Sequence, residues 1–232
     1  MLSFTLSMRS VRRFGLLLLS FLPLASIAGI LNELTPSQAR AVLRGEQVVE
    51  MEEIEGKPWP RIRVFQKVKA APEEFMAVFF DYRQAKSYIP KLLKSDVSKT
   101  VSPCVLEVDY GVDVPMLPDE FYTARNTLKE NDGVYRVDWT LLRALQTKAS
   151  EGSLRAEATE GGSVICYTNL VTPGSSMAGL LRIPAMDQMK NSVRAIVAQV
   201  EKQKAQNPGE LDQQVKVLRA ALKAEPSPVP GS

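Results

Sequence analysis

Tyr110, Tyr122, Tyr135, Trp139 and Tyr167 sit in strand-like runs, with Asn126 four residues beyond Tyr122 on the same face. On one face of a sheet such a set can fill a solid core. It can equally line an apolar cavity, offering hydroxyl, indole and amide groups to an occupant. Met186, Met189 and Val193 could face them from a helix, and methionine adapts to irregular ligands. Taken singly, each of these residues is a core residue by default.

What is missing narrows the chemistry further. The chain has no histidine, which excludes Ser-His-Asp and Cys-His constellations, H-E-x-x-H zinc sites and histidine general bases. No Gly-rich phosphate cradle of the G-x-x-x-x-G-K-[ST] or G-x-G-x-x-G kind occurs. An enzyme here would have to work with acids, tyrosines, lysines or arginines. No catalytic residue, metal ligand or cofactor is therefore assigned, and the chain is expected not to be an enzyme. Cys104 and Cys166, the only cysteines, make a poor zinc site without histidine. They either pair as a disulfide or serve as small side chains in the sheet. Arg125, Arg155 and Glu157 fall in strands where an inward charge could contact a ligand head group; the alternative is a solvated outer face. Glu107, Asp109 and Asp113 read as a wet face.

These residues need elements to position them. Pro184 to Lys204 has apolar side chains at Met186, Met189, Val193, Ile196, Val197 and Val200, the three-and-four spacing of an amphipathic helix. Pro184 suits its first turn, and Asn207-Pro208-Gly209 marks its end. Ahead of it, Ser175 to Arg182 reads as a short helical lead-in. Six strand-like segments precede that: 94–101, 104–114, 120–130, 134–142, 149–158 and 163–171. Ser102-Pro103, Pro115 to Asp119, Asn131-Asp132-Gly133 and Gly161-Gly162 punctuate them. Alternation is clearest in Leu106 to Val114 and Tyr135 to Leu141, as in antiparallel strands with one dry face.

Nearer the N-terminus, Thr35 caps a short helix to about Arg44, and strands follow over 47–55 and 61–69. In the second strand Ile62, Val64, Gln66 and Val68 form the dry face, with Phe65 among the wet residues. Pro72 opens a helix carrying Phe75, Val78 and Phe79 on one side. About eight strands must curl through their twist, and one long helix can fill the concave side. Leu211, Val215, Leu218 and Leu222 form a second, brief amphipathic stripe, and residues 225–232 are a Pro/Ser tail expected to be disordered.

Residues 1–28 read as a cleaved leader. Arg9, Arg12 and Arg13 precede the apolar run Phe14 to Ala28, and Ser26 and Ala28 occupy the positions a signal peptidase reads. Cleavage after Ala28 and a periplasmic or secreted location are expected; a retained anchor is the alternative. The leader holds three of the 29 basic residues and no acid, so 26 basic face 26 acidic residues in the mature chain. That neutrality gives no support to a nucleic-acid partner.

The order of elements, together with Val64 to Tyr82 (VFQKVKAAPEEFMAVFFDY), Tyr88-Ile89-Pro90, Tyr135 to Leu142 (YRVDWTLL), the Gly152-Ser153-Leu154 hairpin region and the Gly161-Gly162-Ser163 turn, resembles the START-like or SRPBCC superfamily. The match covers roughly residues 45–204. It implies an α+β helix-grip fold, a curved antiparallel sheet wrapped around a long C-terminal helix, with residues 29–204 as the ligand-binding domain and 205–224 as an appended helix. It also implies a tunnel holding a lipid or other hydrophobic molecule, lined by Phe79, Tyr110, Tyr122, Asn126, Tyr135, Trp139, Tyr167, Met186, Met189 and Val193, with Arg125 or Arg155 at a head group. A monomer that binds and shuttles its cargo, with transient membrane contact, is expected. The alternatives are a cyclase or aromatase using the same cavity, and a protein-interaction module acting through Leu211 to Leu222.

Overall fold

The computed structural model describes residues 29–114, 117–174 and 178–225. The expected leader, residues 115–116 of the expected Pro115 to Asp119 turn, residues 175–177 of the expected lead-in, and the tail after Glu225 lie outside the described residues.

A 3-10 turn, Ile30–Glu33, leads into α1 (Pro36–Leu43). Thr35 and Gln38 cap α1 reciprocally, the Thr35 N–H donating to Gln38 Oε1 at 2.9 Å. Then come β1 (Val48–Glu52), β2 (Arg61–Val68), α2 (Pro72–Phe80), α3 (Tyr82–Ala85), β3 (Leu92–Ser102), β4 (Val105–Val112), β5 (Glu120–Asn131), β6 (Val134–Ala144), β7 (Thr147–Thr159) and β8 (Gly162–Pro173). Two helices, α4 (Ala178–Gln206) and α5 (Pro208–Ala224), close the chain.

The eight strands form one antiparallel sheet in the order β1-β2-β8-β7-β6-β5-β4-β3. From β3 to β8 it is a meander, so each short turn sets the register of the next pair. Asp132 and Gly133, both at positive φ, make the tight turn between β5 and β6 that an Asp-Gly pair favours. With α2, α4 and α5 packed on its concave side, this is the helix-grip α+β fold.

Four sequence expectations change. Pro184 does not begin the long helix: α4 runs continuously through it from Ala178. The missing N–H costs a single bond near the start of a long helix. Gly152 lies in the interior of β7, opposite Trp139, and not at a hairpin. Phe65 is not wet, because Ile30, Leu34 and Val42 from the first two helical turns cover it on the convex face together with Val164 and Cys166. The stripe on α5 belongs to a 17-residue helix whose Leu211, Val215 and Leu218 are buried in the main core, against α2.

Cys104 and Cys166 are both buried and unpaired. Cys104 belongs to the main core and Cys166 to the small convex-face cluster, with β5, β6 and β7 between their strands. Gln66, polar on the concave face, accepts a hydrogen bond from Gln47 Nε2 at 2.9 Å.

Candidate functional site

The concave side has a solid half and a hollow half. In the C-terminal half of α4, Val193, Val197 and Val200 share one buried core cluster with Phe75, Leu154 and Ile165. Towards its N-terminal end Leu181, Ala185, Gln188 and Ser192, together with Met189 and Ile196, border a space above the sheet that they leave unfilled. The result is a cavity of about 330 Å³, within the ~300–1,000 Å³ usual for small-molecule sites.

Its walls are aromatic. Tyr110 and Tyr122, opposite each other on β4 and β5, stack with ring centres 5.0 Å apart. Tyr82 meets Tyr110 edge-on at 6.2 Å, and Phe79 meets Tyr82 at 6.3 Å. On the other wall Trp139 lies 5.2 Å from Tyr167. Gly152 makes that placement possible, since a Cβ there would come within 2.4 Å of the indole. The Trp139 indole N–H donates to Asn169 Oδ1 at 3.4 Å, and Asn169 Nδ2 reaches the Met189 sulfur at 3.5 Å. Asn126 donates to the Ala124 carbonyl at 3.2 Å.

Burial pushes the phenol groups of Tyr82, Tyr88, Tyr110, Tyr122 and Tyr167 up, with neighbouring hydroxyls or carboxylates adding to it; Tyr122 is pushed up to about 12, with Glu120 as the added cause. All five remain protonated at neutral pH, so they donate and accept hydrogen bonds but do not act as bases. Glu120, 7% exposed, is the only acid in the lining among the described residues. Its Oε1 accepts the N–H groups of Leu145 and Gln146 at 3.0 and 3.1 Å, tying β5 to the β6–β7 turn. No lysine or arginine lines the cavity among the described residues, and no group of three or more potential metal ligands occurs among them.

Of the sequence-expected site, Phe79, Tyr110, Tyr122, Asn126, Trp139, Tyr167 and Met189 come together around the cavity. Val193 is core, Met186 packs against the core, and the Tyr135 hydroxyl donates to Glu73 at 3.4 Å away from the cavity. The two arginines face the other way. Arg125 reaches Glu107 at 2.8 Å on the wet face. Arg155 binds Glu33 at 2.6 and 2.9 Å, a carboxylate that Arg63 also engages. Burial would raise the Glu33 carboxyl, but Arg155 and then Arg63 hold it below the usual range. Glu157, on the same face, accepts the Ile30 N–H at 2.8 Å. These charges fasten the N-terminal segment to the convex side.

Tyr82, Tyr88, Glu120, Leu141, Asn169 and Gln188, none of them among the expected lining residues, also line the cavity. The polar ridge of α4 was their signal: Gln188 and Ser192 on the sheet-facing side of an amphipathic helix mark space that core packing does not need.

Neither a protein-family model nor a curated protein sequence matches this chain. Solved structures do. The STAR-related lipid transfer protein from Xanthomonas axonopodis superposes with a TM-score of 0.60 at 16% identity, over 66% of this chain and 93% of that one. Human STARD10 gives 0.63 at 13%, over 79% of each chain. The Zhui aromatase/cyclase from Streptomyces sp. R1128 gives 0.55 at 16%, over 64% of this chain and 97% of that one. The fold is START-like.

Proposed function

We propose that this START-like chain is an exported carrier that encloses one hydrophobic small molecule of lipid class, with no covalent chemistry. The carrying observation is the hollow half itself, an aromatic cavity between the sheet and the N-terminal part of α4. The leader-like residues 1–28 support export, and the fold shared with a protein named for STAR-related lipid transfer supports the cargo class. Removing roughly 400 Å² of apolar cargo from water at ~25 cal/mol per Å² contributes about 10 kcal/mol before the costs of association. That is enough for retention.

A cyclase-like reading rests on the stacked Tyr110–Tyr122 pair as a proton donor and on the Zhui fold. The absence of histidine weighs against it: a protonated phenol pair supplies a proton donor but no base. Native mass spectrometry of chain recovered from the export compartment tests both readings. The expected result is an N-terminus at Gly29 and one unaltered lipid-like mass per chain, released by organic solvent. A bare chain that takes up no apolar probe would overturn the carrier, and turnover of the bound molecule would favour the enzyme.

Loading from a membrane would use the rim. Leu145 and Ile183 are 72% and 69% exposed, beside the lining residues Gln146 and Pro184. The double substitution Leu145→Glu, Ile183→Glu is expected to slow uptake from neutral vesicles about tenfold, because two apolar contacts with the bilayer become charges. Affinity for a soluble probe should stay unchanged; an equal loss in both assays would mean a damaged cavity.

A further inference from the structure

Charge is distributed unevenly around the cavity. Among the described lining residues the sole full charge belongs to Glu120, whose oxygens are already engaged by backbone N–H groups. The cations that flank lining residues are turned elsewhere. Lys91, between Pro90 and Leu92, pairs with Asp113 at 2.8 Å, and Arg182, next to Leu181, pairs with Glu53. Lys86 and Lys148 stand exposed on the surface.

The uncharged polar groups, by contrast, are under-used. The Tyr82 hydroxyl is buried without a hydrogen-bond partner, although Tyr82 lies on the wall. Asn169 spends its amide N–H on a thioether sulfur, a weak acceptor. A buried hydroxyl without a partner is destabilising, and so is an amide left with a poor one, until something supplies an oxygen.

We infer that the cavity selects an uncharged hydrophobe bearing a hydroxyl or carbonyl oxygen, and that it rejects carboxylate- and phosphate-bearing lipids. This rests on the carrier reading above. A cargo oxygen can replace the Met189 sulfur as acceptor for Asn169, and the Tyr82 hydroxyl, enclosed in the wall, gains its missing partner when the Tyr82 ring turns towards the void. An anionic head group in the same space meets one carboxylate and no cation, so it loses its hydration without compensation. An ammonium group would find Glu120 already committed to the β6–β7 turn.

The test uses the wild-type chain loaded with Nile red, an uncharged dye, and displaced at about pH 8 by dodecanol, dodecanoate or dodecylammonium. Dodecanol is expected to displace the dye at a concentration at least about tenfold below either charged analogue, since an uncompensated buried charge outweighs one hydrogen bond. A ratio under tenfold for either one overturns the inference while leaving the carrier reading intact. Failure of the chain to take up Nile red overturns both. In Tyr82→Phe, which removes only an unpaired hydroxyl, the melting temperature should hold or rise. The preference for dodecanol over dodecane should fall about threefold to tenfold; an unchanged preference would remove Tyr82 from the contact.

Discussion

Ala124→Phe is expected to abolish cargo uptake while leaving the domain folded. Ala124 lies on the cavity floor, opposite Val108 on β4 and Leu141 on β6, and is 3% exposed. A phenylalanine ring there projects into the 330 Å³ void. A ring of this size covers ~150 Å² or more. If it displaces an equal area of cargo contact, at ~25 cal/mol per Å² the loss is about 4 kcal/mol, close to a thousandfold in Kd. In a solid core the same change would force neighbours off their rotamers at a cost of about 1–3 kcal/mol. The two possibilities therefore separate cleanly. Lost dye binding with a melting temperature near wild type means a cavity, whereas a clear drop in melting temperature means that Ala124 was tightly packed.

Truncation after Gln206 is expected to unfold the domain. Without α5, the side chains of Leu211, Val215 and Leu218 leave the main core and uncover the α2 surface they pack against. Each is worth about 1.5–3 kcal/mol on full burial, so together they supply roughly 5–9 kcal/mol, comparable with the ~5–15 kcal/mol stability of a whole domain. Polar ties go with them: Arg219 Nε donates to Glu73 at 2.8 Å, Gln214 Nε2 to Asp81 at 3.0 Å, and the Cys104 N–H to Glu225 at 3.2 Å. Circular dichroism and a thermal melt decide the matter. A truncated chain that melts cooperatively and keeps its ligand would return α5 to the role of a partner-binding appendage.

Much of the frame was legible because its signals are local. The alternation in β4 and β6 follows from one dry face and one wet face, and the Asp132-Gly133 turn needs nothing but its own backbone preference. Parity along a strand also fixes which way its charges face. Asn126 faces the cavity, so its neighbour Arg125 must face out, and Leu154 and Ala156 in the core place Arg155 on the convex side. What no local pattern indicates is that the convex side of β2 and β8 is itself covered. That depends on Ile30, Leu34 and Val42 folding back across β2 and across β8, the latter more than a hundred residues away, held by Glu33–Arg155 and by the Ile30 N–H on Glu157.

The sequence by itself determined the pieces and their limits: strands with a defined inner face, helices with a defined apolar stripe, and a chain without histidine and so without histidine chemistry. Only the tertiary structure decided where that inner face is solid and where it is hollow. Val193 and Met189 belong to one amphipathic stripe, yet one is core and the other cavity wall. The difference comes from what stands opposite each. Whether a space is filled depends on the summed volumes of side chains that α2, α4 and several strands bring together from distant parts of the chain, a quantity that periodicity along one element does not carry.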